Sequence, residues 1–104
     1  MSMPADHRIG PMNGIPRGEG RNFSVAGTVI AVFRTHADEI FATQAKCPHL
    51  QGPLADGMMG GTTIMCPLHD RTYDLRTGKA SVGECDLVTY SVRKAADGTL
   101  VLNV

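Results

Sequence analysis

The sequence predicts one small all-β domain of about seven to nine short strands. Three features carry that expectation. The apolar runs are short and rich in Val, Ile, Phe and Tyr; Gly, Pro, Asp and Asn interrupt them at short intervals; and no segment sustains a helical period with capping signals at both ends. A chain of 104 residues supports one modest core and is too short for two.

Residues 1–20 hold three of the six prolines (Pro4, Pro11, Pro16) and four of the twelve glycines (Gly10, Gly14, Gly18, Gly20). This composition reads as an extended or flexible lead-in, with His7 a solvated side chain and the folded domain spanning 21–104. Phe23 and Val25 alternate with polar neighbours, Ala26-Gly27-Thr28 is a turn, and Val29-Ile30-Ala31-Val32-Phe33 is a buried strand. The polar stretch His36-Ala37-Asp38-Glu39 turns the chain into Ile40-Phe41-Ala42-Thr43-Gln44, which completes a hairpin and leaves His36 at a loop tip. Gly52-Pro53-Leu54-Ala55-Asp56-Gly57 and the glycine-rich run 57–61 read as tight turns. Thr62–Met65 and Thr72–Leu75 are strands, Arg76–Lys79 is a turn, and an Asp97-Gly98 hairpin signal joins Leu87–Val92 to Leu100–Val104.

Ten basic and ten acidic side chains cancel, and no run of either sign occurs. That balance gives no support to a nucleic-acid or membrane-surface role. The amino-terminal residues contain no apolar stretch of signal-peptide length, and nothing approaches the roughly 18 apolar residues of a membrane span. The expectation is a soluble, cytoplasmic protein. Three cysteines in a reducing compartment, two of them beside histidines, suit metal ligation better than a disulfide framework. Cys85, the third, reads as a small, partly buried side chain.

The functional signal is a duplication. Cys47-Pro48-His49 and Cys66-Pro67-Leu68-His69 each offer one thiol and one imidazole, and sixteen residues, 50 to 65, lie between His49 and Cys66. Two thiols and two imidazoles form a metal-binding set, although the donors alone do not choose between zinc and iron. Structural zinc sites commonly pair like ligands in one loop, whereas each loop here is mixed, as Cys-x-His and then Cys-x2-His. A mixed loop suits a binuclear site whose metals differ in ligand type, with Cys47 and Cys66 on one iron and His49 and His69 on the other.

The first box, together with Cys66-Pro67-Leu68-His69-Asp70-Arg71-Thr72-Tyr73-Asp74-Leu75-Arg76-Thr77-Gly78, resembles the two signature boxes of Rieske ferredoxins. The resemblance covers roughly Phe23 to Val104. It implies three small antiparallel sheets, with one [2Fe-2S] cluster per chain under two loops at one end, ligated by Cys47, His49, Cys66 and His69. Leu50 and Leu68 are then expected to shield the cluster. The extra cysteines that form a disulfide in high-potential respiratory relatives are replaced by Gly52 and Leu68. Their serine donor is matched by Arg71, and their tyrosine donor by Tyr73, which is equally readable as a core aromatic. With fewer hydrogen bonds to sulfur, the expected potential lies in the lower part of the family range of about −150 to +300 mV. A third covering loop corresponds to Ser81-Val82-Gly83-Glu84.

So small a domain offers no evident substrate pocket, so the resemblance implies an electron carrier and not a catalyst in its own right. Its expected partners are a flavoprotein reductase and a large catalytic reductase or oxygenase subunit. Gly18-Glu19-Gly20-Arg21, Ala31–Arg34, Pro53–Gly57 and Cys85–Tyr90 look most like the small subunit of NAD(P)H-dependent assimilatory nitrite reductase. The ferredoxin component of an aromatic-ring dioxygenase system is the alternative. A zinc-stabilised interaction module without redox activity is the reading from a different class.

Overall fold

A computed structural model describes residues 4–48, 51–67, 71–81 and 86–104. Among the described residues there are nine strands: β1 (Asp6–Pro11), β2 (Glu19–Val25), β3 (Thr28–Arg34), β4 (Ile40–Gln44), β5 (Met58–Gly60), β6 (Thr63–Met65), β7 (Thr72–Asp74), β8 (Thr89–Lys94) and β9 (Thr99–Asn103). Two 3-10 turns, Met12–Gly14 and Leu54–Asp56, complete the regular structure of the described residues. The all-β expectation holds.

Every pairing is antiparallel. The strands form a six-stranded sheet in the order β1-β9-β8-β4-β3-β2 and a three-stranded sheet in the order β5-β6-β7. Two of the three expected sheets are fused by β8. Thr89 and Tyr90 pair with Thr43 and Ala42 of β4, while Ser91 to Lys94 pair with β9.

The β2–β3 connection is a two-residue turn in which both Ala26 (φ 51°) and Gly27 (φ 79°) are left-handed. This backbone matches the twist of the flanking strands. β3 lies between β2 and β4 and is covered on both faces, which is why its sequence reads as an unbroken apolar run and not as an alternation. Ile30 and Val32 face a core with Ile15, Val25, Ala42, Leu100 and Leu102. Ala31 and Phe33 face a second core with Cys47, Leu54, Ile64, Cys66, Tyr73, Leu75 and Leu87. The strand therefore divides the interior into a supporting half and a half that contains both boxed cysteines.

Two expectations need correction. The first twenty residues are not simply a lead-in: Asp6–Pro11 is β1, paired with β9, and Ile15 is fully buried in the supporting core. The sheet thus begins before the boundary expected at residue 21. Proline is tolerated there because β1 is an edge strand with Pro11 at its end. The glycine-rich run is also not all turn, because Met58–Gly60 pairs with Thr63–Met65 and leaves only Gly61 (φ 59°) and Thr62 between them.

Candidate metal centre

Each boxed cysteine stands at the neck of a loop closed by backbone hydrogen bonds. The Cys47 N–H donates to the Gly52 carbonyl at 2.8 Å, and the Gln51 N–H donates to the Cys47 carbonyl at 2.8 Å. The Cys66 N–H donates to the Arg71 carbonyl at 2.9 Å. Both loops hold four residues between the bonded pair, 48–51 in one and 67–70 in the other. Gln51, at φ 60°, makes the left-handed turn that returns the first loop to Gly52. The Lys46–Pro53 bridge and the bond from the Leu54 N–H to the Ala45 carbonyl extend that closure below the neck.

The two thiols share the core that Ala31 and Phe33 face, with Cys47 0% and Cys66 2% exposed. Tyr73 packs in the same cluster, and its hydroxyl oxygen lies 3.1 Å from the Cys47 sulfur. The ring fills the core, as the core reading expects, and the hydroxyl stands within hydrogen-bond reach of the Cys47 sulfur. Burial pushes the Tyr73 phenol well above its ordinary value, the contact with Cys47 adds to the rise, and the Arg71 charge opposes it in part. The hydroxyl therefore keeps its proton at neutral pH and can donate it.

Tyr73 is held by pairing with Ile64 in β6 on one side and a bridge to Ala80 on the other. The segment around Ala80 is fixed in turn, since the Ala80 N–H donates to Asp86 Oδ1 at 2.9 Å and the Leu87 N–H donates to the Gly78 carbonyl at 2.7 Å. Gly78, at φ +81°, is pressed against this segment; a Cβ there would stand 2.2 Å from the Leu87 carbonyl oxygen.

The structure thus brings Cys47, Cys66 and Tyr73 together, with a partly buried Arg71 carrying the second neck. His49, Leu50, Leu68 and His69 lie outside the described residues, as do Cys85 and most of the third covering loop. Among the described residues no group of three or more His, Cys, Asp or Glu side chains gathers to hold a metal ion. His7 sits in β1 and His36 in the exposed β3–β4 turn, and neither belongs to the core cluster of the boxed cysteines.

The donor chemistry fits half of an iron–sulfur cluster. Two buried thiols beside a neutral hydroxyl donor suit a metal that binds thiolates, with the hydroxyl stabilising charge on sulfur. The roles of Gly52, Gln51 and the Arg71 carbonyl carry no sequence signal, because closing a loop neck uses backbone atoms that any residue supplies. Asp86 was likewise not singled out; its carboxylate is one of ten acidic groups until the fold sets it on the Ala80 N–H.

Comparison with known proteins agrees with this geometry. The family model described as the Rieske [2Fe-2S] domain matches residues 6–91. The ferredoxin component of the naphthalene 1,2-dioxygenase/salicylate 5-hydroxylase systems of a Ralstonia species is 36% identical over 84 residues, spanning 79% of this chain and 80% of its own. A ferredoxin of Sphingomonas yanoikuyae B1 superposes with a TM-score of 0.83 at 28% identity, covering 96% of this chain and 99% of that one. A Mycobacterium tuberculosis protein described as an NADH-dependent nitrite reductase small subunit superposes with a TM-score of 0.90 over 99% of this chain and 97% of its own, at 14% identity. That last likeness is one of fold.

Proposed function

The chain belongs to the Rieske [2Fe-2S] domain family and carries a cluster of that type, and from that premise we propose that it delivers single electrons to a large catalytic oxidoreductase component. Cys47 and Cys66 are the sulfur ligands and His49 and His69 the nitrogen ligands in this reading. The observation that carries it is the pair of buried cysteines at the necks of two equal four-residue loops, each of which contains one of those histidines.

When bound, the cluster accepts and releases one electron. The residues around it set the terms. Two neutral imidazoles in place of two thiolates leave the centre less negative and ease electron uptake. Tyr73 donates to the Cys47 sulfur and favours the reduced state, while Leu50 and Leu68 exclude water.

Of the two systems considered, the oxygenase system is the first assignment, with this chain as its ferredoxin component, because the relative at 36% identity serves there. The small subunit of an NAD(P)H-dependent nitrite reductase is the second reading, supported by the segments outside the boxes and by the nearly full-length superposition at a TM-score of 0.90. In both a flavoprotein supplies the electron, and the cytoplasm is the place where NAD(P)H is available. No helix among the described residues is long and apolar enough to cross a membrane.

Anaerobic purification followed by absorption, metal analysis and electron paramagnetic resonance tests the cluster and its ligands. The expected protein is red-brown, bleaches partly on reduction and contains two irons per chain. A colourless protein with stoichiometric zinc would reject the reading. His69→Cys is expected to lower the potential of any cluster that survives, and an unchanged potential removes His69 from the ligand set. Reconstitution with a flavoprotein reductase and either large component, scored as ring oxygenation or as ammonium from nitrite, separates the two systems.

A further inference from the structure

Gln44 is the last residue of β4, and its side chain continues the sheet where the backbone leaves it. The ladder between β4 and β8 runs through Ala42↔Tyr90 and Thr43↔Thr89. At the next position the Gln44 N–H donates to the Val88 carbonyl at 2.9 Å, but the return bond is made by the side chain, with the Val88 N–H donating to Gln44 Oε1 at 2.8 Å. An ordinary antiparallel pair would use the backbone carbonyl there. In Gln44 that carbonyl accepts the Thr43 hydroxyl at 2.8 Å.

The other end of the same carboxamide reaches the first box. Gln44 Nε2 donates to the Lys46 carbonyl at 2.8 Å, and the N–H of that peptide group, which belongs to Cys47, donates to the Gly52 carbonyl at 2.8 Å. The peptide that leads into Cys47 is therefore held at both ends. Val88 in turn follows Leu87, whose N–H donates to the Gly78 carbonyl at 2.7 Å, two residues before the Ala80 that bridges to Tyr73. One carboxamide thus ties the backbone entering Cys47 to the segment that braces Tyr73. Only an amide serves both ends, because the Val88 N–H needs an acceptor and the Lys46 carbonyl needs a donor.

We propose that Gln44 is a positioning residue for the metal centre, setting the Cys47 sulfur against the Tyr73 hydroxyl through the Lys46 carbonyl and Val88. The proposal rests on the functional reading above, in which Cys47 is a ligand. A hydrogen bond to sulfur acts on the potential only while its geometry holds, and here donor and acceptor stand on chains 26 residues apart. Gln44 joins those chains outside the core, where its own side chain touches neither sulfur nor hydroxyl.

The test is a double-mutant cycle read as the reduction potential of the holoprotein. Tyr73→Phe is measured in three backgrounds: wild type, Gln44→Met and Gln44→Glu. Methionine keeps the length of glutamine and removes both bonds. Glutamate keeps the acceptor for Val88, and with it the sheet, and removes only the donor to Lys46; its added charge cancels within the cycle. The fall in potential caused by Tyr73→Phe is expected to be about half as large in both Gln44 backgrounds as in wild type. In an Asp38→Asn background, which weakens the fold at the β3–β4 turn, the fall should keep its full size. A full-sized fall in either Gln44 background overturns the proposal. So does a fall halved equally by Asp38→Asn, which marks a general loss of stability, and so does no fall in wild type, which leaves Gln44 no contact to set. Failure of the functional reading shows separately, as the absence of a Rieske spectrum from the wild-type protein.

Discussion

The Tyr73 hydroxyl and the Cys47 sulfur meet at 3.1 Å inside one core cluster, although 26 residues separate them in the chain. The contact links the second box to the ligand of the first. Burial raises the phenol above its ordinary value, and the contact with Cys47 adds to the rise.

Tyr73→Phe removes that donor and leaves the ring. Fold and ligands should survive, while the electron-rich reduced state loses one hydrogen bond to sulfur. Such a bond contributes about 1 kcal/mol net, which for one electron corresponds to a fall of about 40 mV in potential. A redox titration followed by circular dichroism or paramagnetic resonance measures it; a rise, or no change, would show that the hydroxyl does not act on sulfur in the holoprotein.

Gly78 and Gly61 are both left-handed, yet their surroundings predict different costs. An alanine at Gly61 (φ +59°) meets open space, so it bears only the backbone strain of about 1 kcal/mol. At Gly78 (φ +81°) the added carbon would lie 2.2 Å from the Leu87 carbonyl oxygen and 3.0 Å from Thr89 Cγ2. The segment from Gly78 to Leu87, which includes the Ala80 bridge to Tyr73, would have to adjust, and about 3 kcal/mol is expected. Thermal melts should put Gly78→Ala well over 10 °C below wild type and Gly61→Ala about 5 °C below. Cluster loss should accelerate only in the former.

What could be read from the sequence depended on how local the signal was. The cysteine and histidine boxes, the buried β3 run and the Asp97-Gly98 turn are written within a few residues each, and all were legible. β8 was seen as a strand, but its split allegiance to β4 and β9 depends on partners on both sides. The Tyr73–Cys47 contact arises only when segments 26 residues apart meet, while the loop necks and the Met58–Met65 pairing are local but made by backbone bonds that the residue types do not announce. A run of glycines at 57–61 hid β5, because glycine composition signals a turn while the ladder was set by β6.

Asp38 ties the β3–β4 turn to the segment before β2. Arg17 donates to its two carboxylate oxygens at 2.8 and 2.9 Å, and Arg34 Nε donates to Oδ1 at 2.9 Å. Chiefly through the Arg17 bond, the carboxyl is held well below the ordinary value of 3.8. A depressed folded-state value means that the stabilisation is fully present above pH 3.8 and is lost as pH falls through the lower, folded value. Asp38→Asn should therefore melt below wild type at pH 7, and the gap should close progressively below about pH 4. Urea unfolding of both proteins across that range checks the sign, and a gap that widens in acid would contradict it.

The last prediction concerns the segment whose composition suggested a lead-in. β1 pairs with β9 over five register positions from Asp6↔Asn103 to Pro11↔Thr99, and two ion pairs join it to the β8–β9 hairpin, Arg8–Asp97 at the turn and Arg93–Asp6 from β8. Those ion pairs are exposed and contribute little; the ladder and the packing of Ile9 against the supporting core matter more. Deleting residues 1–11 should cost about 2 kcal/mol and lower the melting temperature by about 10 °C. The cluster spectrum should not change, because Cys47, Cys66 and Tyr73 lie in the other core, across β3 from Leu100 and Leu102. A flexible lead-in would leave the melting temperature where it was, and a segment that shaped the metal site would alter the spectrum, so one truncation measured both ways decides among the three.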